Sequence, residues 1–360
     1  MNVAVLGIGL IGGSIGLAVR QRAGARVCGY DPDEHVRAQA LALGAIDTAA
    51  ADVASAVHDA DVVFVATPVS ALPETVDLAL REAPARAVVT DVGSTKRVVA
   101  SARSDGRFIG GHPLAGAETA GVEHAREDLF AGSVWYLTPA TGSAATAGVL
   151  YERLHRLLTA LGARPTAIDA ETHDRLLATV SHLPHALANL LVAQAASTLA
   201  QDGEGRVPAV GPSFRDATRV AGANSAIWTD IYLSNRDALI AAVDDFAARL
   251  SGLRAQLEAG DGAALTSWNE DARADRERLF GTAGAEHGTS ELRVSVPNRP
   301  GVIAEIALSL GRAGVNILDM VLSPSPDNSQ GVVALWIADG EDVVRAQELI
   351  AQLEFPVARA

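Results

Sequence analysis

Asn2-Val3-Ala4-Val5-Leu6-Gly7-Ile8-Gly9-Leu10-Ile11-Gly12-Gly13-Ser14 decides the fold, because an apolar run, a glycine turn and an apolar helix pattern reaching Arg20 follow in that order. The run reads as a buried parallel strand. Gly7 permits the tight turn, Gly9 lets a pyrophosphate approach the backbone, and Gly12 lets the helix pack close to the strand. The helix start then offers the free N–H groups of Leu10 and Ile11 to phosphate. A second apolar run, Arg26 to Tyr30, ends at Asp31, nineteen positions after Gly12. A carboxylate there accepts hydrogen bonds from ribose hydroxyls and repels the extra phosphate of NADP, so the predicted dinucleotide is NAD.

Further along, Asp61 to Ala66 and Ala87 to Thr90 are apolar strands separated by helical stretches, the pattern of a doubly wound parallel sheet. Ligands sit beyond the carboxyl ends of such strands, so Thr67-Pro68 and Asp91-Val92-Gly93-Ser94 are expected to face the cofactor. Phe108-Ile109 reads as a short strand delivering Gly110-Gly111-His112-Pro113-Leu114-Ala115-Gly116 to the same edge. That segment reads as a histidine in a mobile glycine frame. Histidine titrates near neutrality and can take a hydroxyl proton while a hydride leaves the carbon beneath, which points to oxidation of an alcohol. The bland alternative is a loop histidine capping backbone groups. Ser94 could orient a substrate hydroxyl or cap a helix, and Lys96 could bind an anion or stand solvated.

From about Arg164 to Phe280 the strand alternation gives way to helical runs rich in alanine and leucine, a separate all-α domain. Within it, Ser181-His182-Leu183-Pro184-His185 places a proline in an apolar helical pattern, which predicts a kink. His182 and His185, three apart, can face one side. No cysteine or carboxylate completes a ligand set there, so no metal is assigned. Phe214-Arg215-Asp216-Ala217-Thr218-Arg219 supplies arginines suited to clamping a carboxylate, or a surface ion pair. Trp228 could wall the same pocket or sit in the core. A linker at 283–290 precedes strand Leu292–Val296, helix Val302–Gly311, strands Asn316–Ser323 and Gly331–Ala338, and helix Val343–Leu353, a βαββαβ module. Its loop Pro297-Asn298-Arg299-Pro300-Gly301 opens a helix whose N–H groups could hold an amino-acid carboxylate.

The chain's 360 residues suit two or three domains, and 49% hydrophobic content is ample for packed cores. With 29 basic against 43 acidic side chains the net charge is −14, which argues against a nucleic-acid partner and requires an anionic ligand to meet local cations. One cysteine, Cys28, allows no intrachain disulfide and fits a reducing cytoplasm. The first apolar run has no basic region before it and is broken by glycines. No stretch reaches the roughly 18 uninterrupted apolar residues of a membrane span, so neither signal peptide nor membrane is expected and the cytoplasm is the predicted location.

Taken together, the glycine loop with Asp31, Asp91 to Lys96, Gly110 to Gly116 with Glu118, Ser181 to His185, and Phe214 to Arg219 resemble the prephenate dehydrogenase family of tyrosine biosynthesis with a carboxy-terminal ACT domain. The resemblance covers essentially the whole chain. It implies an α/β protein with a Rossmann-like NAD domain at 1–163, an all-α substrate and dimerisation domain at 164–282, and an ACT-like domain at 291–360. It further implies oxidative decarboxylation of prephenate by NAD to 4-hydroxyphenylpyruvate, carbon dioxide and NADH. By family position His112 accepts the hydroxyl hydrogen bond and proton, and Ser94 orients both groups. Arg219, chosen over Arg215 by that position alone, binds a substrate carboxylate, gated by Glu118 and Asp216. His185 contacts the substrate side chain, with Ser181 and His182 beside it. The ACT-like module implies feedback by tyrosine, with phenylalanine as rival, through Asn298, Arg299, Pro300, Gly301 and Asn316. A homodimer is the implied assembly. Three alternatives stand: arogenate dehydrogenase, against which His185 leans; a β-hydroxyacid dehydrogenase, which leaves His112 and the last module unexplained; and a NAD- and amino-acid-binding sensor without catalysis, against which Ser94, His112 and Arg219 stand.

Overall fold

The valine-rich runs near the amino terminus form five parallel strands in the computed structural model: β1 (Asn2–Leu6), β2 (Arg26–Tyr30), β3 (Thr48–Ala49), β4 (Val62–Val65) and β5 (Val88–Asp91). Their order is β3-β2-β1-β4-β5. The structure describes residues 1–100, 105–116, 119–139, 145–201, 210–281, 289–297, 299, 302–315, 317–325, 330–338 and 341–359. Side chains alternate across the sheet with period two, so each face has its own core. Val3, Val5, Phe64 and Val88 pack with α1 (Leu10–Arg22) and with Ala40 of α2 (Glu34–Ala42). Ala4, Leu6, Val63 and Val89 pack with α3 (Val53–Val57) and α4 (Leu72–Glu82). Helices on both faces explain why the strands are unbroken apolar runs. The order reverses between β1 and β4, which opens the crevice where doubly wound sheets bind ligands.

After the short helix α5 (Arg97–Ala100), a second sheet begins. Strand β6 (Ile109–Pro113) runs antiparallel to β7 (Val134–Pro139), which pairs in parallel with β8 (Arg164–Ala167) across helix α6 (Ala145–Ala160). A parallel bridge between Val89 and Phe108 joins it to β5. This corrects the reading of Gly110 to Gly116 as a mobile glycine frame: residues 109–113 are a fully buried strand. The glycines serve close packing. A Cβ on Gly111 would lie 2.5 Å from the Asp91 carbonyl oxygen and 2.8 Å from Thr90 Oγ1, and one on Gly110 would collide with Thr138 Oγ1. Because β8 pairs with β7, strand structure also continues past Arg164 to Ala167.

The helical part starts at α7 (Ala170–Leu177), where Asp169 accepts the Thr172 N–H at 2.8 Å. A π-helical turn (Ala178–His182) joins it to α8 (Leu183–Gln201). Pro184 is the second residue of α8, so the widened turn, and not a break at the proline, absorbs the missing N–H. The stretch 170–198 is long and apolar enough by composition to cross a membrane. Its His173, Asp174, His182 and His185 are nonetheless buried with polar partners. Helices α9 (Pro212–Thr218), α10 (Ser225–Ser234), α11 (Arg236–Ala259) and α12 (Gly262–Gly281) complete this part.

Two compact units divide within α11, Met1–Arg249 and Leu250–Ala360. The second contains an antiparallel sheet of β9 (Thr289–Pro297), β10 (Ile317–Pro324), β11 (Gln330–Ala338) and β12 (Val357–Arg359), ordered β10-β11-β9-β12. Helices α13 (Val302–Arg312) and α14 (Glu341–Gln352) pack Ile306, Leu310, Ala346 and Ile350 against Leu292, Val294, Val333 and Leu335. This is the expected βαββαβ module, with element ends shifted by at most three residues. Most of the expected linker, 283–288, lies outside the described residues.

Candidate active site

The glycine loop fits a dinucleotide. Gly7 adopts φ +91°, and a Cβ there would lie 2.6 Å from the Ala66 carbonyl oxygen, while one on Gly12 would collide with the Gly7 carbonyl. Gly9, by contrast, has no atom within 4 Å of its would-be Cβ, so open space lies in front of it. The α1 N-terminus carries neither a side-chain cap nor an acidic residue in its first turn. Its Leu10 and Ile11 N–H groups therefore remain available to a phosphate. Asp31 accepts the Ile8 N–H at 2.9 Å and the Asp33 N–H at 3.0 Å, which fixes its carboxylate at the end of β2 with further acceptor capacity. Thr67 Oγ1 is buried with no hydrogen-bond partner among the described residues, and Pro68 beside it is exposed.

A cavity of about 460 Å³ brings together Ser94, His112, Ser181, His182 and Trp228, with Leu177, Val180 and Ile231 among its apolar walls. The β5 end supplies Ser94, β6 supplies His112, and the π-helical turn presents Ser181 and His182. A larger hollow of about 710 Å³ between α7–α8 and α11 contains none of the expected site residues. Of the two, only the smaller gathers residues expected at the site.

His112 is 8% exposed, and burial, followed by nearby His173, Lys96 and His182, holds its pKa well below the usual value. It is a neutral imidazole at pH 7, able to accept a hydrogen bond. Its Nδ1 lies 2.9 Å from His173 Nε2, and His173 Nδ1 lies 2.8 Å from Asp174 Oδ1. Asp174 also accepts the Lys96 N–H at 2.7 Å and the Arg97 N–H at 2.9 Å. Burial alone would raise its pKa, but the donors on His173, Arg97 and Lys96 outweigh that and keep the carboxylate ionised. Neither His173 nor Asp174 was singled out by the sequence motifs. The available signal was the pair His173 and Asp174 on the same side of α7 as the apolar Leu177.

His182 is more deeply buried, and burial lowers its pKa to about 4, against the opposing pull of Asp174. Trp228 walls the cavity and stacks on His185 at 3.5 Å and 3°. His185 was expected to contact the substrate side chain. It does not line the cavity, and its Nδ1 pairs with the Tyr232 hydroxyl at 2.5 Å. Its ring lies against Trp228, which itself lines the cavity.

Lys96 fits neither reading offered for it. Its ammonium is fully buried, pairs with Asp91, and donates to the Gly111 carbonyl at 2.6 Å, tying β5 to β6. Arg215, Asp216 and Arg219 are exposed on and just after α9. None of the three lines the cavity, although Val220, next to Arg219, does. Glu118, the other half of the expected gate, lies outside the described residues. In the last module Arg299 pairs with Glu305 at 2.7 Å, while Asn298, Pro300, Gly301 and Asn316 lie outside the described residues.

Comparison with known proteins follows this geometry. Residues 15–166 match the family model "Prephenate dehydrogenase, nucleotide-binding domain", 169–270 match "Prephenate dehydrogenase, dimerization domain", and 290–354 match "ACT domain". The chain is 32% identical over 361 residues to the prephenate dehydrogenase of Bacillus subtilis (strain 168), covering 97% of this chain and 95% of the relative. A solved arogenate dehydrogenase from Synechocystis is 27% identical with a TM-score of 0.67, over 78% of this chain and 100% of the other. The prephenate dehydrogenase of A. aeolicus, solved with hydroxyphenyl propionate and NAD+, is 28% identical with a TM-score of 0.67, over 78% and 98%.

Proposed function

The chain belongs to the prephenate dehydrogenase family, with its NAD-binding, dimerisation and ACT domains, and on that premise we propose that the cavity around His112 is where prephenate is oxidised and decarboxylated in tyrosine biosynthesis. The observation that carries the reading is the meeting of Ser94, a neutral His112 and His182 in one cavity at the carboxyl edge of the nucleotide-binding sheet.

NAD supplies the hydride acceptor. His112 accepts the hydrogen bond of the ring hydroxyl and stabilises the positive charge that develops on its carbon as the hydride departs. Ser94 orients the hydroxyl. The ring carboxylate then leaves as carbon dioxide, and the electron pair of the broken C–C bond completes the aromatic ring. The product phenol keeps the hydroxyl hydrogen, so a proton drawn toward His112 is returned and none is released overall. Trp228 offers an aromatic wall to the ring, and His185 holds Trp228 in place. Because the chain is strongly acidic, the substrate's carboxylates need a cation, and Arg219, gated by Glu118 and Asp216, is the group assigned to one of them.

The assembly we propose is a homodimer: Leu190 and Leu191 on α8 and Ile240 and Val243 on α11 are exposed apolar residues that a second copy would cover. The ACT domain would bind tyrosine, or phenylalanine, as a feedback ligand near Arg299. Cytoplasmic residence is part of the same reading.

Incubating the protein with prephenate and NAD and following NADH absorbance tests the proposal, with arogenate, NADP and added tyrosine as parallel arms. Turnover of arogenate alone transfers the site to that substrate. Lack of turnover on either, with tyrosine still bound, leaves a sensor.

A further inference from the structure

Both imidazoles facing the cavity are neutral at pH 7, so what distinguishes them is which ring nitrogen carries the hydrogen. Their partners answer that. Asp174, an ionised carboxylate, only accepts, so the His173 Nδ1 facing it at 2.8 Å must carry hydrogen. The Arg97 guanidinium, 3.3 Å from Asp174 Oδ2, already meets the carboxylate's charge; the one hydrogen Asp174 requires of His173 is that on Nδ1, and in that tautomer His173 Nε2 is a lone pair. That lone pair faces His112 Nδ1 at 2.9 Å, which must therefore be N–H. His112 is left with a bare Nε2.

His182 is set in the opposite sense by Asn235, which is fully buried. The amide's orientation is fixed because its Oδ1 receives Arg97 Nη2 at 2.9 Å, so the other end is Nδ2, a donor only. Nδ2 donates to the Asp174 carbonyl at 2.7 Å and lies 3.2 Å from His182 Nδ1. His182 Nδ1 is thus an acceptor and its hydrogen sits on Nε2. That Nε2 is buried and has no partner among the described residues.

We infer that Asp174 and Asn235 are positioning residues that fix the two cavity imidazoles in opposite polarity, His112 as an acceptor at Nε2 and His182 as a donor at Nε2–H. Arg97 holds both positioning groups at once. The cavity then selects a ligand with a hydroxyl for His112 and a carbonyl or carboxylate oxygen for His182, and it disfavours the same ligand bound the other way round. The inference deepens the proposed oxidation and rests on it for the identity of that hydroxyl.

The test has an arm that needs no turnover. In full-length protein labelled with [15N]histidine, long-range 15N–1H spectra at pH 7.5 are expected to show His112 protonated at Nδ1 and His182 at Nε2. Peaks are assigned by their loss in His112→Gln and His182→Gln. In the kinetic arm, His173→Leu removes the acceptor facing His112, whereas His173→Gln keeps an amide oxygen near the position of Nε2. The leucine variant should lose on the order of 10² in kcat, with KM held within about threefold, and the glutamine variant should recover most of that loss. A wild-type spectrum with hydrogen on His112 Nε2, or equal losses in both variants with KM rising in step, overturns the inference. If His173→Leu does not fold, the wild-type spectrum still decides. Correct tautomers in a protein that does not oxidise prephenate would refute the proposed function and leave the inference standing.

Discussion

Gly111→Ala separates the two ways of explaining the glycines beside His112. A methyl there would meet the Asp91 carbonyl oxygen at 2.5 Å, Thr90 Oγ1 at 2.8 Å and Trp135 Nε1 at 3.0 Å. Two of these belong to β5 and one to Trp135 of β7; the nearest is backbone, and the other two are on fully buried side chains with no room to swing aside. Relief to an ordinary contact of about 3.5 Å requires β6 to move by about 1 Å. Overpacking of this kind costs about 1–3 kcal/mol, which in a unit of 249 residues is a Tm loss of about 2–12 °C. The same shift moves His112 relative to Ser94 and the cofactor edge, and a misplacement of about 1 Å costs roughly 10²-fold in rate. Differential scanning calorimetry and NADH-coupled turnover read the two effects. Gly116→Ala is the control for stability, since nothing lies within 4 Å of its Cβ position. If the glycines serve loop mobility, the two variants behave alike. Gly111→Ala with unchanged Tm and kcat would refute the packing argument.

His112→Asn should lower kcat by roughly 10²–10⁴ while leaving KM close to wild type, and near-normal turnover would remove its role. Asp31→Ser should narrow the preference for NAD over NADP. The Arg37 guanidinium already sits on the Asp31 carbonyl at 2.5 Å, ready to meet an added phosphate, and an unaltered ratio of kcat/KM values would sink the idea. Arg219→Ala should raise KM for prephenate, and an unchanged KM would move the clamp to Arg215. Acid should act in two ways. Because His112 works in its neutral form and its pKa is depressed, the acid limb of kcat/KM should lie below pH 6.5. His182 falls from 6.5 in the unfolded chain to about 4, so the unfolded state takes up its proton first. Its stabilisation is complete above about pH 6.5 and is lost as pH falls toward 4. Melts between pH 7.5 and 4.5 should therefore fall less steeply in His182→Gln than in wild type, and parallel curves would contradict this.

Four strands of the five-stranded sheet, all but the two-residue β3, and the βαββαβ module were legible because their evidence is local. A short apolar run bounded by turn residues and rich in valine reads as a strand, and Gly7, Gly9 and Gly12 announce a turn within six positions. The cavity was half legible for the same reason, since Ser94, His112, Ser181 and His182 lie in short distinctive motifs. What stayed hidden depends on long-range packing. The glycines of β6 look like a loop because nothing nearby in sequence reveals Thr90, Asp91 and Thr138 pressing on them. Lys96 looks solvated or functional until Asp91 and the Gly111 carbonyl are seen enclosing it. Nothing in the segment around His185 reveals that Trp228, forty-three positions on, lies on its face.

The polarity of His112 is likewise invisible from its own segment, and this has a physical consequence. Strand β6 places the ring, opposite Tyr136 of β7 in the register. Yet the hydrogen that leaves Nε2 bare is held by His173, sixty-one positions away on α7, and the Tyr136 ring meets His173 edge-on at 5.6 Å. Asp174 then ties α7 back to the backbone of Lys96 and Arg97 just beyond β5. The nucleotide-binding half therefore contains His112 but does not determine its tautomer. Only when α7 packs against β6 does His112 become a fixed acceptor. A substitution on α7 that loosens this contact should cost turnover while leaving NAD affinity, which depends on β1, α1 and Asp31, unchanged. Titrating NAD by tryptophan fluorescence in His173→Leu checks the separation, and a parallel loss of NAD affinity would show that the two halves are not independent in this respect.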